Sequence, residues 1–321
     1  MDELHAIQHP HDALFRGVFG DPERAGELLR STLPDAVTAA IDWATLRAVE
    51  GSFVDEALRG QQADLLIRAT AQGRATLLYV LLEHKADDDR FTALQLLRDV
   101  VRIWQRCRRD EPERPRLPPV LPLVLHHGPR PWRSPRDLRA LLDLDGVPSE
   151  FTAQQPSFWF PVDDLTAQGE HALHQRRLSV CTLLPLLHLQ WLRRRADTAN
   201  LLRSWQTLYR ALLAVPGGRE IAYRLVSYTA AVSNEPTERL RLAFADLEPA
   251  MEAKYMTAAE QLMQQGAIAA TTKLLLTQLE QRFGLLPEAM IERLRKSTPA
   301  ELDRIARTVL TAPTLAAVFA D

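Results

Sequence analysis

Two carboxylates and a lysine in the first third of the chain have the types and spacing of a metal-assisted phosphate site. Asp64 lies in a short apolar segment, and Glu83 and Lys85 lie at the end of a longer apolar run. Carboxylate oxygens are ligands that Mg²⁺ prefers, and lysine is a compact charge whose pKa can be shifted by its surroundings. The three residues therefore indicate a metal site with a neighbouring cation.

The surrounding sequence predicts a β-hairpin that positions these residues. Residues 62–68 (QADLLIR) and 75–85 (ATLLYVLLEHK) have the composition of two strands, and residues 71–74 (AQGR) that of their turn. Side chains two positions apart on a strand share a face, so we expect Glu83 and Lys85 to point one way and His84 the other. The hairpin can bring Asp64 to the face of Glu83.

A purely structural interpretation of Glu83 and Lys85 is the alternative. Charges at the edge of a buried strand lose hydration at several kcal/mol each unless they pair or bind a metal. The two side chains can form an ion pair where the strand reaches water. Against this, the chain has 39 Lys+Arg but only four lysines, so a lysine at this position is unusual for its composition.

Further motifs extend the pattern along the first 135 residues. They are His11–Arg16 (HDALFR), Leu33-Pro34, Ser52–Asp55 (SFVD), Ala63–Leu66 (ADLL), Leu82–Lys85 (LEHK), Asp89, Ile103-Trp104, Leu121–Gly128 (LPLVLHHG) and Trp132. With these motifs in this order, the chain resembles the recombination-promoting nuclease family of the PD-(D/E)XK superfamily, which is also described as YhgA-like putative transposases. A weaker similarity continues in residues 279–283 and 311–319.

The resemblance implies a fold and an activity. The fold class is α/β, with a mixed-sheet, restriction-endonuclease-like PD-(D/E)XK core. The activity is Mg²⁺-dependent cleavage of DNA, with Mn²⁺ as a substitute, in DNA recombination or mobile-element processing. Asp64 and Glu83 would be the metal ligands, with a backbone carbonyl near His84, and Lys85 would stabilise developing charge or orient the attacking water.

The family also has an acidic position near its N-terminus. Asp12 matches it and is a candidate for the outer shell of the site, in competition with Glu23 and Glu27.

The chain departs from the family's pattern close to the motif. Lys85 replaces the family's usual glutamine and brings the site nearer to the form of the wider superfamily. The other departures are Ala86 for Ser, Gln95 for Arg, and Asp99 and His126 for Tyr.

Net charge gives no general signature of nucleic-acid binding, because it is −2 with a pI of about 6.5. DNA contacts must then come from local patches. One candidate is the segment 98–116, with Arg98 and Arg102, which can equally be a helix with a solvated face. The other is the segment 130–139, where Arg130 and Arg133 flank Trp132.

Cysteine usage and hydropathy bear on location. Cys107 and Cys181 are the only cysteines among 321 residues, which suits a reducing cytoplasm and excludes a disulfide scaffold. The first residues lack the basic and apolar regions of a signal peptide. No run approaches the roughly 20 apolar residues of a membrane helix.

The organisation predicted from the sequence is a nuclease-like domain, residues 1–165, followed by a helical C-terminal region, residues 166–321. In the first part we expect a helix over about 89–107, a strand over 120–127 and a helix opened by Ser134-Pro135. The second part has apolar residues at helical spacing and would serve binding or assembly, including homo-oligomer formation.

A rival interpretation is a catalytically inactive, nuclease-like scaffold that binds DNA or protein. Fold alone never guarantees chemistry. The presence of Asp64, Glu83 and Lys85 together argues against a decayed site.

Overall fold

The computed structural model describes residues 9–49, 65–71, 77–85, 87–194 and 196–319, and for residues 77–85 it describes the backbone. Asp64 therefore lies outside the described residues. The chain separates into two compact units, residues 1–254 and 255–321. The predicted boundary between residues 165 and 166 stays a prediction.

Three helices precede the sheet: Pro10–Phe19 (α1), Pro22–Thr32 (α2) and Asp35–Ala40 (α3). Proline stands at the start of α1 and α2, where its missing N–H leaves no hydrogen bond unmade. The carboxylate of Asp21 caps α2 by accepting hydrogen bonds from the backbone amides of Glu23 and Arg24.

The strands form one mixed sheet, which within the described residues has the order β1-β2-β3-β4-β5. β1, β2 and β3 are antiparallel neighbours, β4 runs parallel to β3, and β5 runs parallel to β4. A parallel pair needs a crossover connection, which the helix Thr92–Asp110 (α4) supplies. The strands are Ile41–Ala48 (β1), Leu65–Ala71 (β2), Leu77–Lys85 (β3), Val120–His126 (β4) and Val162–Asp164 (β5).

The predicted pairing of the two motif strands is confirmed. β2 and β3 pair antiparallel from Leu65 opposite Leu82 to Thr70 opposite Leu77. β2 continues to Ala71, three residues beyond the expected end at Arg68. The remainder of the expected turn lies outside the described residues. The mixed α/β class is confirmed.

Helices cover both faces of the sheet. On one face, Leu66 of β2 and Val124 of β4 share a buried cluster with Leu96 and Val100 of α4. Each fully buried side chain of this size stabilises the fold by roughly 1.5–3 kcal/mol. On the opposite face, Asp163 of β5 pairs in register with Leu125 of β4. Its carboxylate accepts a hydrogen bond from the hydroxyl of Thr32 in the helix α2. Parallel strands are typically covered on both faces in this way.

Two helix predictions need correction. α4 begins at Thr92 rather than Asp89, because Asp89 forms a turn in which its carboxylate accepts from the Phe91 amide and its carbonyl from the Thr92 hydroxyl. No helix begins at Ser134-Pro135 in the described structure. Asp137 is instead extended and bridged to Trp159 in antiparallel fashion, and a short 3-10 helix follows at Leu138–Leu141.

All named elements from Glu170 to Val318 in the described part of the chain are helices. Among the described residues, no helix is long and apolar enough to cross a membrane. In the first unit the helices are Ser149–Thr152 (α5), Glu170–His174 (α6), Val180–Trp191 (α7), Thr198–Ser204 (α8), Gln206–Leu213 (α9), Gly218–Val232 (α10) and Thr237–Ala245 (α11). They are followed by Pro249–Phe283 (α12), Glu288–Lys296 (α13), Pro299–Thr308 (α14) and Leu315–Val318 (α15).

A buried histidine joins two of these helices. His188 of α7 contacts the carbonyl of Leu184 through Nδ1 at 2.8 Å and the hydroxyl of Tyr209 on α9 through Nε2 at 2.8 Å. A carbonyl only accepts, so Nδ1 carries the proton and the neutral Nε2 accepts from Tyr209. Burial lowers the pKa of His188 from 6.5 to about 4, although the hydrogen bond to Leu184 opposes this. Burial also raises the pKa of Tyr209.

We predict that the stability of the protein falls between about pH 6.5 and about pH 4 partly because of His188. The unfolded chain protonates this histidine at its ordinary pKa while the folded chain does not, so lowering the pH favours unfolding, by roughly 3 kcal/mol at the acid limit. His188→Gln, which keeps an acceptor for Tyr209, should show a weaker pH dependence. Denaturant unfolding of both proteins at several pH values measures the difference. Identical pH profiles would contradict the assignment.

Candidate active site

The carboxyl ends of the three parallel strands place the motif at one edge of the sheet. Lys85 of β3 is paired with His126 of β4, which is paired with Asp164 of β5. Glu83 is level with Val124, one step back along the strands. Ligands of open α/β sheets bind outside the carboxyl ends of parallel strands. Glu83 and Lys85 thus occupy backbone positions where a site is expected.

The third motif residue is placed by sequence only. Asp64 lies outside the described residues, and the strand that follows it begins at Leu65, opposite Leu82. Leu82 is the residue before Glu83 in β3. The roles predicted for Asp64, Glu83 and Lys85 stay predictions.

A loop that leaves β4 at this edge is held by side chains from both sides. We call residues 128–136 the arginine loop. On one side, the Asp88 carboxylate accepts from the amide of Arg133 at 2.9 Å and from the amide of Ser134 at 3.1 Å. On the other, the Asp164 carboxylate accepts from the amide of Trp132 at 2.8 Å. The loop is therefore fastened at two points.

Two aromatic rings complete the anchoring of this loop. His126 is buried, and its Nε2–H donates to the carbonyl of Arg130 at 2.8 Å. Its ring packs edge-on against Trp132 at 5.3 Å between centroids, and Trp132 packs in turn on Phe160. The Nδ1 of His126 is a buried acceptor with no hydrogen-bond partner among the described residues.

The charge of Asp88 is stabilised by these contacts. Partial burial acts to raise the pKa of its carboxyl, but the hydrogen bonds from Ser134 and Arg133 outweigh it, so the pKa lies below its ordinary value. Asp88 is three residues after Lys85 in the chain. It therefore connects the end of the motif strand to the arginine loop.

A buried ion pair lies on the opposite face of the same edge. The guanidinium of Arg176 donates to both carboxylate oxygens of Asp163, at 2.6 and 2.7 Å. Asp163 also accepts from the hydroxyl of Thr32 at 3.0 Å and from the amide of Gln168 at 3.1 Å. A bidentate pair with further hydrogen bonds is the arrangement that makes a buried carboxylate tolerable. Asp163 thus ties β5 to α2 and to the segment that leads into the helices.

The predicted outer-shell carboxylates occupy different surroundings. Asp12 forms an ion pair with Arg16 within α1 at 2.5 Å. Glu27 of α2 accepts from the amide and the hydroxyl of Ser179, at the start of α7. Glu23 is exposed in the first turn of α2. The assignment of any of the three to the site stays a prediction.

The arginines proposed for DNA contact fall into two groups. Arg98 and Arg102 on α4 each lie 3.5 Å from the carboxylate of Asp99, which is buried. Asp99, a departure from the family's pattern, therefore engages both guanidinium groups. Arg130 and Arg133 are exposed on the arginine loop. The two loop arginines are better placed for an external anion.

The side chains at this edge can be compared with the ligands that a divalent metal requires. Among the described side chains, no group of three or more His, Cys, Asp or Glu could hold one. The carboxylates of Asp88, Asp163 and Asp164 at this edge already accept protein hydrogen bonds. The predicted ligands Asp64 and Glu83 are carboxylates, hard oxygen donors of the kind that Mg²⁺ prefers, and their role stays a prediction.

Three residues that organise this edge, Asp88, Asp164 and Arg176, were not predicted from the sequence. Their roles depend on partners far away in the chain, since Asp88 is 45 residues from Arg133 and Asp164 is 32 from Trp132. The one sequence signal for such contacts was the pair of acids, Asp163 and Asp164, that follows the apolar strand residue Val162. Charged residues that end a buried strand usually have a partner.

Residues 9–220 match the family described as "Putative transposase, YhgA-like". The chain is 31% identical over 172 residues to Recombination-promoting nuclease RpnD of Escherichia coli O157:H7, covering 52% of this chain and 63% of RpnD. It is 29% identical over 177 residues to Recombination-promoting nuclease RpnC of Escherichia coli strain K12, covering 54% of this chain and 57% of RpnC. The resemblance seen in the sequence is confirmed.

Another relative is described as inactive. The chain is 29% identical over 119 residues to "Inactive recombination-promoting nuclease-like protein RpnE" of Escherichia coli strain K12, covering 37% of this chain and 39% of RpnE. The chain thus spans less than two thirds of the length of each of these three relatives. No solved structure gives a significant match.

We predict that Arg176→Ala destabilises the protein by about 3 kcal/mol, because it leaves the buried Asp163 carboxylate without its charged partner. Arg177→Ala, an exposed neighbour, is the matched control and should change stability by about 0.5 kcal/mol or less. Denaturant unfolding monitored by tryptophan fluorescence compares the two. Equal effects would show that the ion pair does not hold this edge.

Proposed function

Because this chain belongs to the family described as "Putative transposase, YhgA-like", we propose that it is a Mg²⁺-dependent DNA endonuclease that hydrolyses phosphodiester bonds. Relatives named recombination-promoting nucleases support a nuclease-related role. These names and the transposase description of the family support a link to DNA recombination or mobile-element processing. The chain covers only part of each relative, so substrate and activity are proposed for this chain on its own residues.

The observation that carries the proposal is the placement of the motif in the sheet. Glu83 and Lys85 end a strand flanked by an antiparallel strand on one side and a parallel strand on the other. We propose that this mixed sheet is a restriction-endonuclease-like PD-(D/E)XK core. The helices beyond residue 166 would then serve binding or assembly, including homo-oligomer formation, in a cytoplasmic protein.

In the proposed mechanism Asp64 and Glu83 would hold the metal through their carboxylates, with a backbone carbonyl near His84. When bound, Mg²⁺ would supply polarisation of the scissile phosphate and a lowered pKa for an attacking water. Lys85 stabilises the charge that develops on the phosphate or orients that water, as a preorganised cation can do. Asp12, Glu23 and Glu27 are the candidates for outer-shell support.

A second candidate function is a nuclease-like scaffold without catalysis, which binds DNA or protein. The observation in its favour is the similarity to a relative described as inactive. A scaffold would bind DNA equally well with or without a divalent metal and would cleave none. Cleavage that depends on Asp64 separates the two functions.

We predict that the purified protein nicks or cuts supercoiled plasmid with Mg²⁺ or Mn²⁺ and stops when a chelator is added. Asp64→Ala should remove the activity while the protein stays folded by circular dichroism, because one of two carboxylate ligands is lost. Asp143→Ala, an exposed acid outside the motif, is the control and should cleave normally. Wild-type cleavage by Asp64→Ala would refute the site, and no cleavage by the unmodified protein would favour the scaffold.

A separate prediction concerns Lys85. Lys85→Ala should leave DNA binding nearly unchanged and slow cleavage by about 10²- to 10³-fold, the usual effect of losing one charge aimed at a transition state. Lys85→Gln should retain more activity, because an amide can still orient water.

Thermal melting distinguishes catalysis from the structural alternative for Lys85. If Lys85 is the ion-pair partner of Glu83, both variants should melt at lower temperature while the folded fraction cleaves normally. An unchanged melting temperature with slow cleavage is the result expected for a catalytic lysine.

A further inference from the structure

The arginine loop is a rigid cationic element. It has the sequence GPRPWRSPR, with prolines at 129, 131 and 135 alternating with arginines at 130, 133 and 136. Proline fixes the backbone angle φ, which restricts the loop before any ligand arrives. The hydrogen bond that His126 donates to the loop's backbone, and those that Asp164 and Asp88 accept from its amides, restrict it further.

The side chains of this loop contrast with its backbone. Arg130, Arg133 and Arg136 are all exposed. Within the described part of the chain, none of them forms an ion pair, whereas Arg98 and Arg102 of α4 lie beside Asp99. A fastened backbone therefore presents three guanidinium groups that no described carboxylate neutralises.

The loop crosses the edge where the motif strand ends. Asp88 follows β3 and Asp164 ends β5, so the two anchors lie on either side of β4. Both carboxylates accept from backbone amides of the loop. The anchors hold the loop beside the register row of Lys85, His126 and Asp164.

We propose that the arginine loop is a preformed clamp for the phosphate backbone of DNA, and that Asp88 is a positioning residue that holds it beside the site. Guanidinium groups match phosphate oxygens in geometry and charge. A ligand that meets a fastened loop loses less conformational entropy on binding than one that must order it. The contacts are to phosphate, so binding through the loop is independent of base sequence. The clamp rests on the proposed function, because it takes DNA as the substrate.

The first test measures DNA binding without cleavage. Fluorescence anisotropy of a labelled duplex oligonucleotide is recorded over a range of salt concentrations with chelator present. Arg130→Ala, Arg133→Ala and Arg136→Ala should each weaken binding roughly fivefold and lower the slope of log K against log salt by about 1. Arg177→Ala and Arg210→Ala remove one exposed arginine each elsewhere in the same unit and should leave the slope nearly unchanged.

The outcomes separate the clamp from the nuclease proposal. If the loop variants bind DNA more weakly and the unmodified protein never cleaves plasmid, the clamp is supported and the nuclease is refuted. If the loop variants bind DNA normally and the unmodified protein cleaves plasmid, the clamp is overturned and the nuclease proposal stands. Equal weakening by the loop and control variants would also overturn the clamp.

The second test concerns Asp88 and depends on whether its removal weakens or strengthens DNA binding. Removing an acid near a phosphate should strengthen DNA binding if only charge matters. Asp88→Ala should instead weaken it about threefold or more, because the amides of Arg133 and Ser134 lose their acceptor. Asp88→Asn, which keeps one acceptor oxygen, should recover part of the affinity.

Asp87→Ala is the matched control for Asp88, because it removes a neighbouring exposed acid that accepts no hydrogen bond from the loop in the described structure. Its binding should equal or exceed that of the unmodified protein. Tighter binding by Asp88→Ala, with unchanged melting temperature, would overturn the positioning role.

Discussion

The parallel pairing of β3, β4 and β5 is the constraint on which the rest of the first unit depends. Parallel strands cannot be joined by a tight turn, so α4 has to carry the chain back between β3 and β4. Because such strands are covered on both faces, α4 packs on one face and α2 is tied to the other. The same direction brings the carboxyl ends of three strands to one edge, where Glu83 and Lys85 lie.

Polar groups at that edge are satisfied mainly by partners from other elements. Asp163 is buried and holds Arg176, Thr32 and Gln168, while Asp164 and Asp88 bind backbone amides of the arginine loop. Each of these carboxylates would be costly without its donors. Because they are satisfied internally, they leave the metal chemistry proposed for this edge to Asp64 and Glu83.

The two arginine patches seen in the sequence differ once their neighbours are known. On α4 the buried Asp99 lies beside Arg98 and Arg102, whereas the arginine loop keeps its carboxylate contacts on the backbone and its guanidinium groups in solvent. Net charge and composition could not separate these cases. The difference lies in which atoms the acids contact, and it makes the loop the stronger candidate for an anionic partner.

The family, the mixed α/β class, the pairing of the motif strands and the helix after the motif could be predicted from the sequence alone. The family follows from its motifs, and the strands and the helix follow from periodicity, which acts over a few residues. Tertiary contacts set the backbone after Pro135, where Asp137 is extended and bridged to Trp159, because Arg136 and Leu138 make backbone hydrogen bonds with Phe160 and Phe158. The same holds for the pair Asp163–Arg176 and for the loop anchored by Asp88. Their partners lie 13 to 46 residues apart in the chain, and only packing of the sheet against its helices brings them within hydrogen-bond distance.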